Sequence, residues 1–496
     1  TNLAAVTDIG DIMIDNTGNL VIGDGADGDI SITLTGTFNT TNFLLGGITV
    51  VDSAAGDNAA DDILVMTAGS LLVDGNNDVV NNDDGEITLA AEGTAATADL
   101  NIQSNITVTD GNAAADSNGA IYLVAGDDLT LDDAVVDVVV SANELGQVVL
   151  AAGTNYNDFP TNVALADGNA DGDLTMNDGT EVSTDDGVIG LLATGSVLVS
   201  IVDADDDGDA SAGSGVLIVA DYNGVVGVIA DNDGAIIDNL TGEAANVRAS
   251  EAIFSAEGNA AANGAGVGGD AAADDDIDTT VSNVAATTDR GDIAIDNTIA
   301  LTIGNGANAS VGISLIGVFT NVDDLGATAD GDFNLAGITI TDAAATVDSA
   351  TDNILVTAAT GGLTVDGNNA VSNADGGNIT LAAEGTAAAD NLDIDSNVTA
   401  TGGNGAINLY STDTTDIDAA VTVSATGTGA ILVSAGSNYN NAALLDGISA
   451  GDVVMQDGST IQSVDGNITI QAPDDIQVSI VNANSNGDTT RGQVII

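Results

Sequence analysis

No cysteine, histidine, lysine or tryptophan occurs in the 496 residues. Without His, Cys or Lys the common nucleophile–base pairs cannot be assembled, so the chain is not expected to be an enzyme. A carboxylate-only glycosidase would need two acids singled out of 76, and nothing in the pattern singles out two. Positive charge is nearly absent. Arg248, Arg290 and Arg491 stand against 76 acidic residues, for a formal charge of −73. Such a surface repels nucleic acid and anionic lipid, so neither is expected as a partner. Aromatics make up 2% and prolines number 2, and no apolar run is long enough for a transmembrane helix. The start at Thr1 shows no signal peptide, which reads as processing or trimming of a longer chain.

What is present is apolar, small and often β-branched. Hydrophobic residues are 44% of the chain and glycines number 62. Disordered acidic chains lack this supply of Val, Ile and Leu, so a thin β core is expected.

Internal repetition is the strongest pattern. "TNLAAVTDIGDIMIDNT" at residues 1–17 returns as "SNVAATTDRGDIAIDNT" at 282–298. "LLVDGNNDVVN" at 71–81 returns as "LTVDGNNAVSN" at 363–373, and "ITLAAEGTAA" occurs unchanged at 87–96 and 379–388. The chain divides into a first unit at residues 1–256, a Gly/Ala/Asp-rich joint at 257–281, and an incomplete second unit at 282–496. "RGQVII" at 491–496 matches "SGVLIV" at 214–219 inside the first unit, which reads as a segment of a longer repetitive molecule.

Within each unit, short phrases alternate apolar and small polar residues: "GEITLAA", "GAIYLVA", "GQVVLAA", "GDLTMND". Most open on Gly, Asp or Asn. This is the period-2 pattern of a strand with one buried face. Gly119, Gly146 and Gly172 open successive phrases, and that spacing predicts coils of roughly 20–30 residues. The expected fold is all-β, a parallel β-helix or β-solenoid. The alternative is a string of β-sandwich domains.

The phrases "GNITL" at 377–381 and "DLTL" at 128–131 resemble those of large repetitive bacterial surface proteins of the filamentous-haemagglutinin and autotransporter-passenger type. That resemblance implies right-handed parallel β-helices that serve adhesion or biofilm structure at the cell surface.

Two acidic loops are candidate metal sites. "DGNADGDLTMND" places Asp167, Asn169, Asp171, Asp173 and Asp178 around Gly172, and is similar to the calcium loop of dockerin repeats. "SIVDADDDGDA" places Asp203, Asp205, Asp207 and Asp209 around Gly208. Alternate carboxylates at a sharp turn supply oxygens to Ca²⁺, which takes six to eight. The same residues are also the ordinary composition of turns. In the second unit three of these acids become Asn482, Asn484 and Asn486, and the twin of the first loop, at residues 446–457, keeps Asp452. The Arg290-Gly291-Asp292 triplet reads as turn chemistry. Sequons such as Asn105-Ile-Thr107, Asn378-Ile-Thr380 and Asn467-Ile-Thr469 fall at strand starts.

The function expected is a structural or adhesive extracellular protein. It would form or decorate a cell-surface filament or layer of a bacterium or archaeon through self-association, with Ca²⁺ or high salt offsetting its charge. A carbohydrate- or surface-binding adhesin module, or an S-layer-like protein, is the alternative.

Overall fold

A computed structural model describes residues 1–8, 10–24, 30–34, 41–51, 61–83, 85–92, 98–109, 119–132, 137–154, 172–205, 214–220, 234–242, 244–256, 265–268, 276–306, 310–315, 332–341, 351–385, 390–437, 439, 451–487, 489 and 491–496. Among them there is no helix; short strands and turns carry the whole fold. The chain forms two compact units. One unit comprises Thr1–Val226, Asn239–Thr241 and Ser314–Phe333; the other comprises Gly227–Asp238, Gly242–Ile313 and Asn334–Ile496. Strands Ala265–Val267 and Ile277–Thr288 occupy part of the Gly/Ala/Asp-rich stretch at 257–281.

Each unit winds through three strand positions per coil, which define faces A, B and C. In the first unit, face A stacks Ile12–Asn16, Ile63–Thr67, Ile87–Ala91, Ile121–Ala125, Val148–Ala152, Val188–Ala193 and Gly215–Val219. Face B includes Leu71–Val73, Leu100–Ile102, Leu129–Leu131 and Leu174–Met176. Face C includes Val79–Asn81, Ile106–Val108, Val139–Ala142 and Glu181–Thr184. The second unit repeats the plan, with Ile354–Ala358, Ile379–Ala383, Ile407–Ser411 and Ile431–Ser434 stacked on face A. Every one of these pairings is parallel, which separates a solenoid from an antiparallel β-sandwich. An antiparallel hairpin, Ile30–Leu34 with Thr41–Leu45, stands apart from the stacks.

Like residues stack on like. Ile87, Leu89 and Ala91 lie in register with Ile121, Leu123 and Ala125. All six are fully buried. Each buried Ile or Leu contributes about 1.5–3 kcal/mol, and the next coil covers what one coil leaves open. Most strands of faces B and C bury one side only, as the alternation of Leu100, Asn101 and Ile102 predicts, while Glu181–Thr184 is buried at its last three positions. Face A differs. Ile87–Ala91, Ile121–Ala125 and Val148–Ala152 are buried at all five positions. Their near-continuous apolar character is the mark of a parallel strand covered on both sides. In the second unit part of that cover is Tyr439, whose ring meets Tyr410 edge-on at 6.2 Å.

Coil length varies while register does not. The offset between equivalent residues is 24 at Asp62 and Glu86, 25 at Asn353 and Asn378, and 28 at Asn378 and Ala406. It grows to 51 at Asp11 and Asp62 and 61 at Asp292 and Asn353. The strands on either side of these longer offsets keep their register.

Candidate functional site

The acidic residues have a place in this plan. Each strand is preceded by a corner residue, whose N–H lies beyond the regular sheet ladder and needs an acceptor. Where the corner is Asp or Asn, its Oδ1 accepts the N–H of the equivalent residue one coil further along. On face A, Asp62 accepts from Glu86 (2.9 Å), Asn353 from Asn378 (2.9 Å) and Asn467 from Gln493 (2.9 Å). On face B, Asp128 accepts from Asp173 (3.0 Å), Asp173 from Ser196 (2.7 Å) and Asp452 from Asp475 (3.0 Å). On face C, Asp78 accepts from Asn105 (3.1 Å) and Asn397 from Thr422 (2.8 Å). All of these bonds run in the same sense along the stack. Either Asp or Asn meets the geometric need, which is why one replaces the other between the two units.

A second polar arrangement is buried and occurs twice. In the first unit Gly10 N–H donates to Asp61 Oδ2 (2.6 Å) and Asp61 N–H to Asp83 Oδ2 (3.1 Å). Asn81 closes the group, with its Nδ2 donating to the Asp61 carbonyl (2.7 Å) and its Oδ1 accepting from Asp83 N–H (3.0 Å). The second unit reproduces each bond with Gly291, Asp352, Asp375 and Asn373, at 2.7, 2.6, 2.7 and 3.0 Å. Asp61 and Asp352 are 7% and 2% exposed. These carboxylates are internal acceptors for main-chain donors, turned away from solvent.

Repetition also brings carboxylates together. Asp99, Asp127, Asp128 and Asp173 meet where face A turns into face B. Burial and the charge of Asp128 raise the Asp99 carboxyl, and Asp99 and Asp127 each bear on the other's titration. Burial first, then the charges of Asp128, Asp99 and Asp173, pushes Asp127 up to about 6. In the second unit burial, with Asp418, Asp393, Asp366 and Asp416 around it, pushes Asp395 up to about 6.

The two candidate calcium loops are described in part. Asp167, Asn169, Asp171, Asp207 and Asp209 lie outside the described residues. Asp173 and Asp178 flank strand Leu174–Met176, and their carboxylates engage different partners. Asp173 holds Ser196 as above. Asp178 accepts the Thr241 N–H at 3.0 Å together with the Thr241 hydroxyl, and these donors hold its carboxyl below the usual range. Asp203 is buried, and its Oδ1 accepts the Asp205 N–H at 3.1 Å, an Asx turn. Asp452, Asp474 and Asp475 form a triad whose ligand oxygens lie within 4.8 Å of one another. It could hold a divalent cation with water completing the shell. Sequence reasoning reached Asp452 but missed Asp474 and Asp475. The available signal was their position one coil later, before strand Ile476–Gln477.

A polar groove of about 230 Å³ lies between face B and face C, lined by Asn76, Asp78, Gln103, Ser104, Asn105, Asp137 and Val138. Arg290 and Asp292 of the Arg-Gly-Asp triplet are 1% and 6% exposed, so the triplet is not displayed for a receptor. Among the described residues no helix is long and apolar enough to cross a membrane. No family model, curated protein or solved structure matches this chain.

Proposed function

We propose that this chain is a structural protein of a cell-surface filament or layer, stabilised by Ca²⁺ and assembled by self-association. The observation that carries this reading is the uniform sense of the corner bonds. One edge of a coil offers Oδ1 acceptors and the other offers N–H donors, as Asn353, Asn378 and Ala406 illustrate in succession. Such edges are complementary head to tail, and contacts of that kind that do not close into a ring build fibres. The repeat phrases that resemble bacterial surface proteins support the same assignment. So does the density of carboxylates, whose mutual repulsion divalent cations relieve in an external, calcium-containing medium.

A second reading, a carbohydrate-binding adhesin module, is favoured by the groove around Asp78 and Asp137, which presents polar side chains suited to sugar hydroxyls. Negative-stain microscopy and light scattering of the purified chain in calcium buffer separate the two. Fibres or sheets growing with concentration are expected. A monodisperse monomer that retains a sugar on a glycan array overturns the first reading in favour of the second.

A further inference from the structure

Five described asparagines stand in Asn-X-Thr triplets: Asn105, Asn239, Asn378, Asn397 and Asn467. Four of them are corner residues, and the corner itself does not demand the threonine. Asn353 and Asn391 occupy equivalent corners with Leu and Asp at the third position. Asn378, Asn397 and Asn467 are exposed. In each, Oδ1 is held by the N–H of the next coil, from Ala406 (2.9 Å), Thr422 (2.8 Å) and Gln493 (2.9 Å). Their Nδ2 groups make no hydrogen bond within the described protein. The following Ile379, Val398 and Ile468 are fully buried. The anchored amide therefore carries its free nitrogen on an exposed corner. Asn239 is the opposite case. Its Nδ2 donates to the Met176 carbonyl at 2.7 Å and is spent inside the fold.

We propose that Asn378, Asn397 and Asn467 are N-glycosylation sites and that Asn239 is not. The donor class is an oligosaccharide linked to a polyprenyl phosphate or diphosphate. Nδ2 forms a bond to the anomeric carbon and gives up one of its two protons. The bond from that carbon to the phosphate oxygen breaks, and the lipid phosphate leaves with the electron pair. Oδ1 takes no part and keeps its bond to the next coil, so the modified corner is compatible with the stacked fold. The sugars would stand along the outside of the second unit, at corners of faces A and C.

The proposal rests on the surface location argued above only for the supply of donor, so location is measured separately. The protein is isolated from fractionated cells of its native source, cut with an Asp-specific endoproteinase, and its peptides are weighed. Hexose-containing adducts on the peptides bearing Asn378, Asn397 and Asn467 are expected, with the Asn239 peptide at its plain mass. Asn397→Gln and Asn467→Gln should each remove one glycan mass without loss of the folded state. Plain masses at all three asparagines in envelope-located protein overturn the proposal alone. Plain masses in protein found in the cytoplasm overturn both it and the surface reading. An occupied Asn239 overturns the geometric argument.

Discussion

At the scale of the residue, the acidic side chains divide by what they hold. Asp352 accepts the Gly291 N–H from inside the fold, whereas Asp457 lies exposed at a turn. Asp352→Ala strands a buried donor, which costs about 1–3 kcal/mol. Asp352→Asn retains an acceptor and should cost less. Asp457→Ala should stay within about 0.5 kcal/mol. Denaturant melts of the three variants check the order, and equal effects at Asp352 and Asp457 would refute the internal-acceptor role. The Asp99–Asp127 pair predicts a pH dependence. Asp127 and Asp395 titrate near 6 in the fold against about 4 when unfolded. The folded state therefore binds more protons between these values. The stability they contribute is full below about pH 4 and is lost as pH rises through about 6. At low salt the melting temperature should fall between pH 4.5 and 7, and Asp127→Asn should flatten that fall. A melting temperature that rises across this window would sink the assignment.

At the scale of the element, glycine sets how closely coils approach. A Cβ on Gly405 would lie 1.9 Å from the carbonyl oxygen of Gly377, and one on Gly466 1.9 Å from that of Gly429. The same column runs through Gly146 and Gly187 in the first unit, just ahead of the face A strands Val148–Ala152 and Val188–Ala193. This is why the strand phrases open on glycine. The contact is backbone on backbone and cannot be relieved by a rotamer change. Gly405→Ala should lose at least about 2 kcal/mol. Gly18, with open space around it, should accept Ala with a change of about 0.5 kcal/mol or less. Thermal melts of both variants test the close-approach argument, which fails if Gly405→Ala melts with the parent.

At the scale of the whole molecule the charge dominates. A formal −73 on 496 residues opposes the compact state, and corner hydrogen bonds satisfy donors without removing that charge. Adjacent coils lie about 4.8 Å apart, at which unit charges repel by about 1 kcal/mol even in water. Millimolar Ca²⁺ at low ionic strength should raise the melting temperature by several degrees, and EGTA should reverse it. In molar NaCl the increment should shrink, since the Debye length falls to about 3 Å. Asp474→Asn combined with Asp475→Asn should reduce the calcium increment if the triad with Asp452 binds. A melting curve indifferent to calcium at low salt would remove the ion from the account.

The sequence by itself determined the strands, their inward residues and the duplication. Period-2 alternation is local, as in Leu100-Asn101-Ile102, and the repeated phrases can be aligned by eye. It also marked the turns, because Asp, Asn and Gly are favoured there for backbone reasons. Which strands stack was decided by the tertiary structure. Ile12 pairs with Ile63 and Ile293 with Ile354, across insertions that carry no periodic pattern. Parallel stacking is a non-local contact, and a chain read residue by residue does not reveal how many residues one coil spends at its corners. The candidate sites divide in the same way. The Asp-rich turns were visible as composition, whereas the Gly10, Asp61 and Asp83 arrangement, the acidic group around Asp127 and the Asp452 triad exist only because successive coils bring separate corners together. The face A strands buried at every position, such as Ile87–Ala91, belong to the same class, since a strand's second cover comes from residues distant in the chain.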